Sequence, residues 1–348
     1  MKQINMLLFT LLACALAHGQ KIDWEGVPLE VKEPVQFLDA NDEESDALYI
    51  GRCTHLKWNR HDQHLYVSDG VNHQIHLYDS DLKYVKSIGR MGQGPSEFGS
   101  PVGRGFNSKN ELTVYEVDNS RLQIIDAEGQ CVQMIPVPRV PGIAPFALVD
   151  CQDRIYINCP AKGQLFSVFN RAGECLGGFG ERVSVKGLPP KDLIANAVDF
   201  AIDSSGIYCV FSEVPLLRKY DLHWQVLYEL DLSGCPEVKN RQEFVRLEQL
   251  ETDRMYGQGG ICIHSFTFGV SLDRQFFYFN LYTSPLKNED VQSVIYAANK
   301  TTGEIVKKIQ LKTPGSPYQA MSKYPDLSDQ KYIFALHIDQ SSLYKYDK

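Results

Sequence analysis

Residues 65–79 read LYVSDGVNHQIHLYD, two short strand-like runs on either side of a polar turn. Leu65–Val67 and Ile75–Tyr78 are rich in the branched and aromatic side chains that favour strands. Between them, Asp69 and Gly70 are residues typical of tight turns. The pattern therefore predicts an antiparallel hairpin.

The same strand–turn–strand pattern recurs five more times along the chain. The further copies occupy residues 112–126, 155–170, 207–221, 276–299 and 332–347. A short apolar segment precedes most copies and another strand-like segment follows most of them, as Leu56–Trp58 and Tyr84–Ile88 do for the first. Repeated units of four short strands are typical of propeller blades. We therefore expect an all-β fold, a six-bladed β-propeller of four-stranded antiparallel blades. Two separate β-sandwiches are the alternative, which a repeat without a central linker disfavours.

The two ends of the chain complete each other in this scheme. The sixth copy has no final strand because the chain ends at Lys348, and the run Val27–Leu38 has no blade of its own. We expect this N-terminal run to supply the outer strand of the last blade, which would remove edges that invite aggregation. Residues 20–348 are then a single propeller domain.

One insertion interrupts the repeat, at residues 233–261 between the fourth and fifth blades. Within it, Val238–Met255 carries Phe244, Leu247 and Leu250 at helical spacing, with charges of both signs elsewhere. The spacing predicts a surface helix. It is either a cap that shapes specificity or a rigid insertion packed on a blade edge.

The N-terminus is typical of an export signal. Met6–Leu16 is almost wholly apolar but too short for a permanent membrane helix, which predicts a signal peptide over residues 1–19 with cleavage after Gly19. Alternatively, Leu11–Cys14 resembles a bacterial lipobox in which Cys14 is lipidated. We expect a periplasmic or extracellular protein, touching an envelope membrane only through such an anchor.

The amino-acid composition excludes several classes of protein. The chain has 348 residues, a formal net charge of -8 and 43% hydrophobic residues, which excludes a disordered chain and a polytopic membrane protein. The acidic balance argues against nucleic-acid binding. Of the nine Cys, none shows C-x-x-C spacing; Cys235 and Cys262 bracket the insertion and are a candidate bridge, and Cys209 is expected in the core.

Residues 89–98 carry the sharpest motif, GRMGQGPSEF. It is similar to the G-x-x-G-x-G-P-x-E-F signature of NHL-type repeats, and it more closely resembles the Bacteroidetes-type family of exported six-bladed β-propellers. The resemblance implies the fold and implies function only weakly, since propellers host many functions. A nucleotide loop would need a following helix, whereas Pro95 and a strand follow here. We expect the glycines to permit positive φ and Phe98 to pack between sheets.

The innermost strands of a propeller line its channel, so polar and aromatic residues at or near those strands are the candidate ligand contacts. They are Arg52, His55, Arg104, Phe146, Asn196, Asp199, His264 and Lys323. Arg52 and Arg104, on successive blades, could clamp a carboxylate, a phosphate or a uronic acid bidentately. The alternative is that these side chains only hold water and one another.

Metal ligands are scarce in the predicted channel. The credible ones are His55, Asn196, Asp199 and His264, which could hold Ca²⁺ or Zn²⁺, but no Glu falls on the predicted inner strands. We assign no cofactor and no catalytic residue. The sequence favours a non-catalytic binding or interaction module for a small ligand, a glycan or an envelope protein. The alternative is a metal-dependent lactonase or lyase with its site in the channel.

Overall fold

The computed structural model describes ten segments of the chain. They are residues 22–39, 50–137, 147–160, 163–184, 193–256, 265, 267–284, 292–313, 322–337 and 342–348. The predicted signal peptide with its lipobox Cys14, and also Phe146, Cys262 and His264, lie outside the described residues.

Almost all regular structure is β-strand. The strands, in chain order, are β1 (Leu29–Lys32), β2 (Pro34–Asp39), β3 (Cys53–Asn59), β4 (His64–Asp69), β5 (Gln74–Tyr78), β6 (Tyr84–Ile88), β7 (Pro101–Phe106), β8 (Leu112–Glu116), β9 (Arg121–Ile125), β10 (Cys131–Pro136), β11 (Ala147–Val149), β12 (Ile155–Asn158), β13 (Phe166–Phe169), β14 (Cys175–Phe179), β15 (Val198–Asp203), β16 (Gly206–Phe211), β17 (Leu216–Tyr220), β18 (Val226–Asp231), β19 (Thr267–Leu272), β20 (Phe276–Tyr282), β21 (Ser293–Asn299), β22 (Ile305–Leu311), β23 (Ser322–Asp326), β24 (Tyr332–His337) and β25 (Ser342–Asp347). One helix, α1 (Pro236–Tyr256), follows β18.

These strands form six antiparallel sheets, as the repeats predict, and we number the sheets as blades. Blade 1 is β3-β4-β5-β6, blade 2 is β7-β8-β9-β10, blade 3 is β11-β12-β13-β14 and blade 4 is β15-β16-β17-β18. Blade 5 is β19-β20-β21-β22 with β1 added, and blade 6 is β23-β24-β25 with β2 added. The hairpin predicted at residues 65–79 is β4–β5, in which Ser68 pairs with Ile75.

The N-terminal run closes blade 6, as predicted, and also extends blade 5. In blade 6, Phe37 of β2 pairs with Tyr344 of β25. The extra strand β1 was not expected from the sequence. It lies along β22, where the Lys308 amide donates to the Pro28 carbonyl at 2.8 Å and Lys307 contacts the Glu30 carboxylate at 3.0 Å.

The blades fall into two compact units. One unit includes Val183–Leu311, with blades 4 and 5 and helix α1. The other includes Lys32–Arg182 and Ser322–Lys348, with blades 6, 1, 2 and 3. The single-domain organisation expected for residues 20–348 stays a prediction.

Cores lie between neighbouring blades within each unit. Trp58 of blade 1 stacks on Phe334 of blade 6 with ring centroids 4.8 Å apart. In the other unit, Tyr208 of blade 4 stacks on Phe277 of blade 5 at 5.2 Å. All four rings are buried, and three of them lie on middle strands, which are covered on both faces and read as nearly continuous apolar runs.

Helix α1 lies where the insertion predicts it, and its first turns are fixed to blade 5. Val238 belongs to the core between blades 4 and 5. The guanidinium of Arg241 donates to the Tyr282 hydroxyl at 2.9 Å, and the Ser284 amide donates to the Asn240 side chain at 2.7 Å. No helix in the described part of the chain is both long and apolar enough to cross a membrane.

The predictions for Cys209 and Cys235 have different outcomes. Cys209 is fully buried in the core of blade 4, as expected. Cys235 carries a thiol that donates to the Glu237 carboxylate at 2.9 Å, and the bridge suggested with Cys262 stays a prediction because Cys262 lies outside the described residues. Burial, together with the neighbouring Glu237, raises the pKa of the Cys235 thiol to about 12. The thiol is therefore a protonated core group at neutral pH.

Candidate binding site

The first strands of blades 6, 1, 2 and 3 lie side by side within one unit. Strand β3 contacts both β23 and β7, and β7 contacts β11. Two hydrogen bonds join blades 1 and 2 here: the Thr54 hydroxyl donates to the Pro101 carbonyl at 2.8 Å, and the Gly103 amide donates to the Ser68 hydroxyl at 2.9 Å. These strands carry the polar residues of the candidate site.

Arg104 sits in a β-bulge between two glycines. Arg104 and Gly105 together stand against the single residue Thr113 of β8. A Cβ on Gly105 would lie 3.1 Å from Leu148 of blade 3, so glycine lets β7 approach its neighbour closely. A bulge re-aims the side chain that it carries. The Gly103-Arg104-Gly105 sequence therefore places a buried guanidinium at a specific point on the first strands.

His55 is buried on the neighbouring strand, β3, close to several charges. Burial lowers the pKa of His55 well below its ordinary value, and the positive charges of Arg104 and Lys57 lower it further, against an opposing effect of Asp326. On β4, the residue opposite His55 is the uncharged Ser68. The imidazole is therefore neutral at pH 7 and offers one donor and one acceptor nitrogen.

Asp326, the last residue of β23, joins blade 6 to blade 1. Its carboxylate accepts hydrogen bonds from the Trp58 amide at 2.7 Å and the Ser328 amide at 2.8 Å, and it pairs with the Lys57 ammonium at 3.1 Å. Burial alone would raise the pKa of Asp326, but the charge of Lys57 and these hydrogen bonds outweigh burial and lower it to about 2. The carboxylate is therefore ionised at neutral pH.

Arg52 has a different setting from Arg104, because it is exposed just before β3 begins. Its backbone is fixed by Asp69, whose carboxylate accepts the Arg52 amide at 3.1 Å, the Gly51 amide at 2.7 Å and the Asn72 side-chain amide at 2.9 Å. Burial opposes ionisation of Asp69, yet hydrogen bonds from His76 and the backbone hold its pKa well below the usual range. The clamp formed by Arg52 and Arg104 stays a prediction.

The remaining sequence-predicted site residues are more scattered. Asn196 and Asp199 are buried in the other unit, and the Asn196 side chain exchanges two hydrogen bonds with the Val183 backbone, at 2.8 and 2.9 Å. Lys323 pairs with Leu336 through the backbone of β23. Among the described residues, no group of three or more His, Cys, Asp or Glu side chains could hold a metal.

Arg104, His55, Lys57 and Asp326 form a cluster of charged and polar side chains on the first strands. Two of its members, Lys57 and Asp326, were not predicted from the sequence. Lys57 had a signal, since it lies two residues after His55 and alternate residues of a strand share a face. Asp326 had none, because β23 reads SKYPD and its register shifts between Lys323 and Asp326. Its role depends on a contact with a strand more than 260 positions earlier in the chain.

The glycine motif at residues 89–98 folds as a closed loop. The Glu97 carboxylate accepts the Gln93 amide at 3.1 Å and the Gly94 amide at 2.8 Å, and pairs with Arg90 at 2.8 Å. These hydrogen bonds lower the pKa of Glu97. Phe98 is fully buried between blades 1 and 2, as expected. The loop's amides thus bind a carboxylate of their own chain, which agrees with rejecting a nucleotide loop.

Comparison with known proteins bears on the fold. Residues 42–149 match a sequence family described as a six-bladed β-propeller. The chain is a six-bladed β-propeller. The resemblance of residues 89–98 to six-bladed propellers is thereby confirmed, since these residues lie within the matched segment. No curated protein matches the chain in sequence.

Two solved Bacteroides structures agree with this fold. A Bacteroides fragilis protein described as exported is 11% identical with a TM-score of 0.57, covering 92% of this propeller and 99% of its own chain. A member of the DUF4221 family from Bacteroides vulgatus is 12% identical with a TM-score of 0.55, covering 91% of this propeller and 97% of its own chain. Virginiamycin B lyase from Staphylococcus aureus is 11% identical, covers 84% and 79%, and has a TM-score of 0.49. Identities this low show the fold alone.

Proposed function

We propose that this propeller is a non-catalytic binding module for a small anionic ligand or acidic glycan, held on the first strands of blades 6, 1 and 2. The observation that carries the proposal is the buried Arg104 on its glycine-flanked bulge, close to a neutral His55. A bulge disrupts regular strand pairing, and bulges are over-represented next to active sites.

The chemistry of the cluster suits a carboxylate that also carries hydroxyl groups. A guanidinium binds a carboxylate through two parallel hydrogen bonds, and burial strengthens that pairing. Neutral His55 and ionised Asp326 can each bind a sugar hydroxyl. Thr113, opposite the bulge, adds a buried hydroxyl that makes no hydrogen bond within the described structure. A uronic acid combines these groups in one small molecule.

Export is part of the proposal. The apolar run Met6–Leu16 supports it, as does the description of the Bacteroides fragilis relative as an exported protein. We infer a periplasmic or extracellular location, with a lipid anchor if Cys14 becomes the first residue. Intact-mass measurement of protein purified from membranes and from the soluble fraction distinguishes cleavage after Gly19 from lipidation at Cys14.

A thermal-shift screen tests the binding proposal. Glucuronate, galacturonate, citrate and phosphate are titrated into the purified protein at physiological salt, and a ligand that binds the folded state raises its melting temperature. For the best ligand, Arg104→Ala should weaken affinity by about 10- to 100-fold, the effect of removing a charged hydrogen-bonding partner. Arg274→Ala, at an exposed arginine in a turn of blade 5, is the matched control.

Two results would refute the proposal. One is a panel in which no anion or acidic sugar shifts the melting temperature. The other is a ligand whose affinity is the same for the parent and for Arg104→Ala. Glucose and galactose serve as uncharged counterparts, and equal binding of these sugars would show that the guanidinium does not select the ligand.

A further inference from the structure

The outer side of helix α1 carries apolar side chains that stay largely exposed in the described structure. Leu247 is 40% exposed, Leu250 44% and Met255 61%. Charged residues accompany them, because Glu243 and Arg254 flank the two leucines on the exposed side. We call Glu243, Leu247, Leu250 and Arg254 the outer face.

The propeller presents this face rigidly. The first turns of α1 are anchored by Val238 in the core, by Arg241 on Tyr282, and by the Glu237 carboxylate, which accepts the buried Tyr296 hydroxyl at 2.6 Å. The helix cannot roll to bury its leucines without breaking these buried contacts. The remaining turns therefore keep the outer face toward solvent.

The outer face is complementary to itself. Leu247 and Leu250 are equally distant from the midpoint between Glu248 and Gln249, and Glu243 and Arg254 are equally distant from the same point. If a second α1 lies antiparallel on the first with its two-fold axis at that midpoint, each Leu247 meets the partner's Leu250. Each Glu243 then lies level with an Arg254 of the other copy. Residues three and four apart form one stripe on a helix, so all four take part at once.

We propose that the outer face of α1 docks a second copy of this chain, as an antiparallel helix pair with two-fold symmetry. A two-fold interface requires a surface that is complementary to itself, and this arrangement of charges and leucines satisfies that requirement. Glu243 already pairs with Arg246 of its own helix at 2.7 Å, so in the dimer its carboxylate would be shared between Arg246 and the partner's Arg254. An unrelated partner would not require the symmetric placement of the charged residues.

The dimer is expected to be weak. One helix pair with three exposed apolar side chains per copy buries much less area than the roughly 1,200 Å² of a stable interface. Exposed ion pairs add specificity more than affinity. Self-association should therefore be measured at concentrations up to roughly 500 µM, where a weak dimer is populated.

Sedimentation equilibrium on charge-reversal variants tests the proposal. In a Glu243→Arg homodimer, the introduced guanidinium faces Arg254 of the other copy twice, and in an Arg254→Glu homodimer two carboxylates face each other twice. Each variant should therefore self-associate at least about 10-fold more weakly than the parent. An equimolar mixture of the two variants places opposite charges at both contacts, so it should dimerise within about 3-fold of the parent. Lys239→Glu, exposed on the same helix but outside the pair, is the control.

Three results would overturn the proposal. The parent could stay monomeric at the highest concentration, the single variants could dimerise as well as the parent, or the mixture could fail to recover association. Because recovery needs both variants folded, a successful mixture also excludes unfolding as the cause of the single-variant losses. An association that is insensitive to the charge reversals but lost in Leu250→Ser would place a dimer on other contacts of α1 and would equally refute the antiparallel register.

Discussion

Replacing Asp326 by Asn should make the stability of the protein less dependent on pH. Asp326 is buried, accepts the amides of Trp58 and Ser328, and pairs with Lys57. The folded-state pKa of about 2 lies below the ordinary value of 3.8, so between these values the folded protein binds fewer protons than the unfolded chain. The stabilisation is therefore complete above the unfolded pKa and is lost as the pH falls through about 2.

The size of the effect follows from the shift in pKa. Each pKa unit corresponds to about 1.4 kcal/mol, so ionised Asp326 contributes about 2 kcal/mol to the free energy of unfolding at pH 7. Near pH 3 the same linkage leaves about 1 kcal/mol. Asn preserves the shape of the side chain but does not titrate. The parent should therefore exceed Asp326→Asn by about 1 kcal/mol more at pH 7 than at pH 3.

Urea unfolding of both proteins across this pH range, followed by tryptophan fluorescence, measures the difference. Asp347→Asn, at an exposed carboxyl, is the control and should follow the parent. Asp326 also raises the pKa of His55, so the comparison is repeated in a His55→Gln background to remove that second titration. A difference between parent and Asp326→Asn that is constant from pH 3 to pH 7 would refute the reasoning, because it would show that Asp326 has the same pKa in both states.

Three further changes follow from the structure. Burial lowers the pKa of Lys219 to about 8, which contributes about 2 kcal/mol to the change in the free energy of unfolding between pH 7.5 and pH 10. Urea titrations should therefore find that this change is about 2 kcal/mol more positive in the parent than in Lys219→Met, and equal changes in the two proteins would contradict the shift. Phe98→Ala should cost about 3–5 kcal/mol, because it opens a cavity in a buried core, and an unchanged melting temperature would contradict that packing. Gly89→Ala should cost about 1–3 kcal/mol more than Gly163→Ala. Both glycines have φ near +85°, but a Cβ on Gly89 would lie 2.3 Å from the Phe98 ring, whereas a Cβ on Gly163 would meet no described atom within 4 Å. Equal losses would refute the argument.

The fold could be predicted from the sequence because its signals are local. Most hairpins carry apolar strands and turn residues within about 15 positions, and in blades 1 to 5 the fourth strand follows along the chain. Closure of blade 6 by β2 was predictable because one strand was missing at one terminus and one was left over at the other. Strand β1 was not predictable, since blade 5 already had four strands and nothing in Leu29–Lys32 indicates an additional partner.

The candidate site could be predicted only in part, because it depends on which side chains meet across blades. His55 and Arg104 were candidates because of their strand positions; the structure places both, buried, on neighbouring first strands, and their role in binding stays a prediction. The burial of Arg104 and the exposure of Arg52 were not predicted. Arg104 lies in the bulge after Gly103, whereas Arg52 lies just before β3 begins. A local signal for the bulge did exist. Gly-Arg-Gly inside a strand is unfavourable for regular pairing, so it indicates that the strand is interrupted for another reason.

The best-preserved repeats and the candidate site coincide for a structural reason. The last residue of the second strand is Asp69 in blade 1 and Glu116 in blade 2, and each carboxylate accepts backbone amides of the loop that leads into its blade, from Gly51 and from Gly99 respectively. At the corresponding position, blade 4 has Phe211 and blade 5 has Tyr282, which carry no carboxylate.

The loops before β3 and β7 are therefore fixed by ionic hydrogen bonds, and these are the strands that carry His55 and Arg104. A site that must hold a guanidinium to within a fraction of an ångström needs such rigid support. The best-preserved repeats therefore indicate which residues support the candidate site rather than what the site binds. Replacing Glu116 by Gln should accordingly weaken the binding of an anion at Arg104 without touching it, whereas a binding site elsewhere on the propeller would be unaffected.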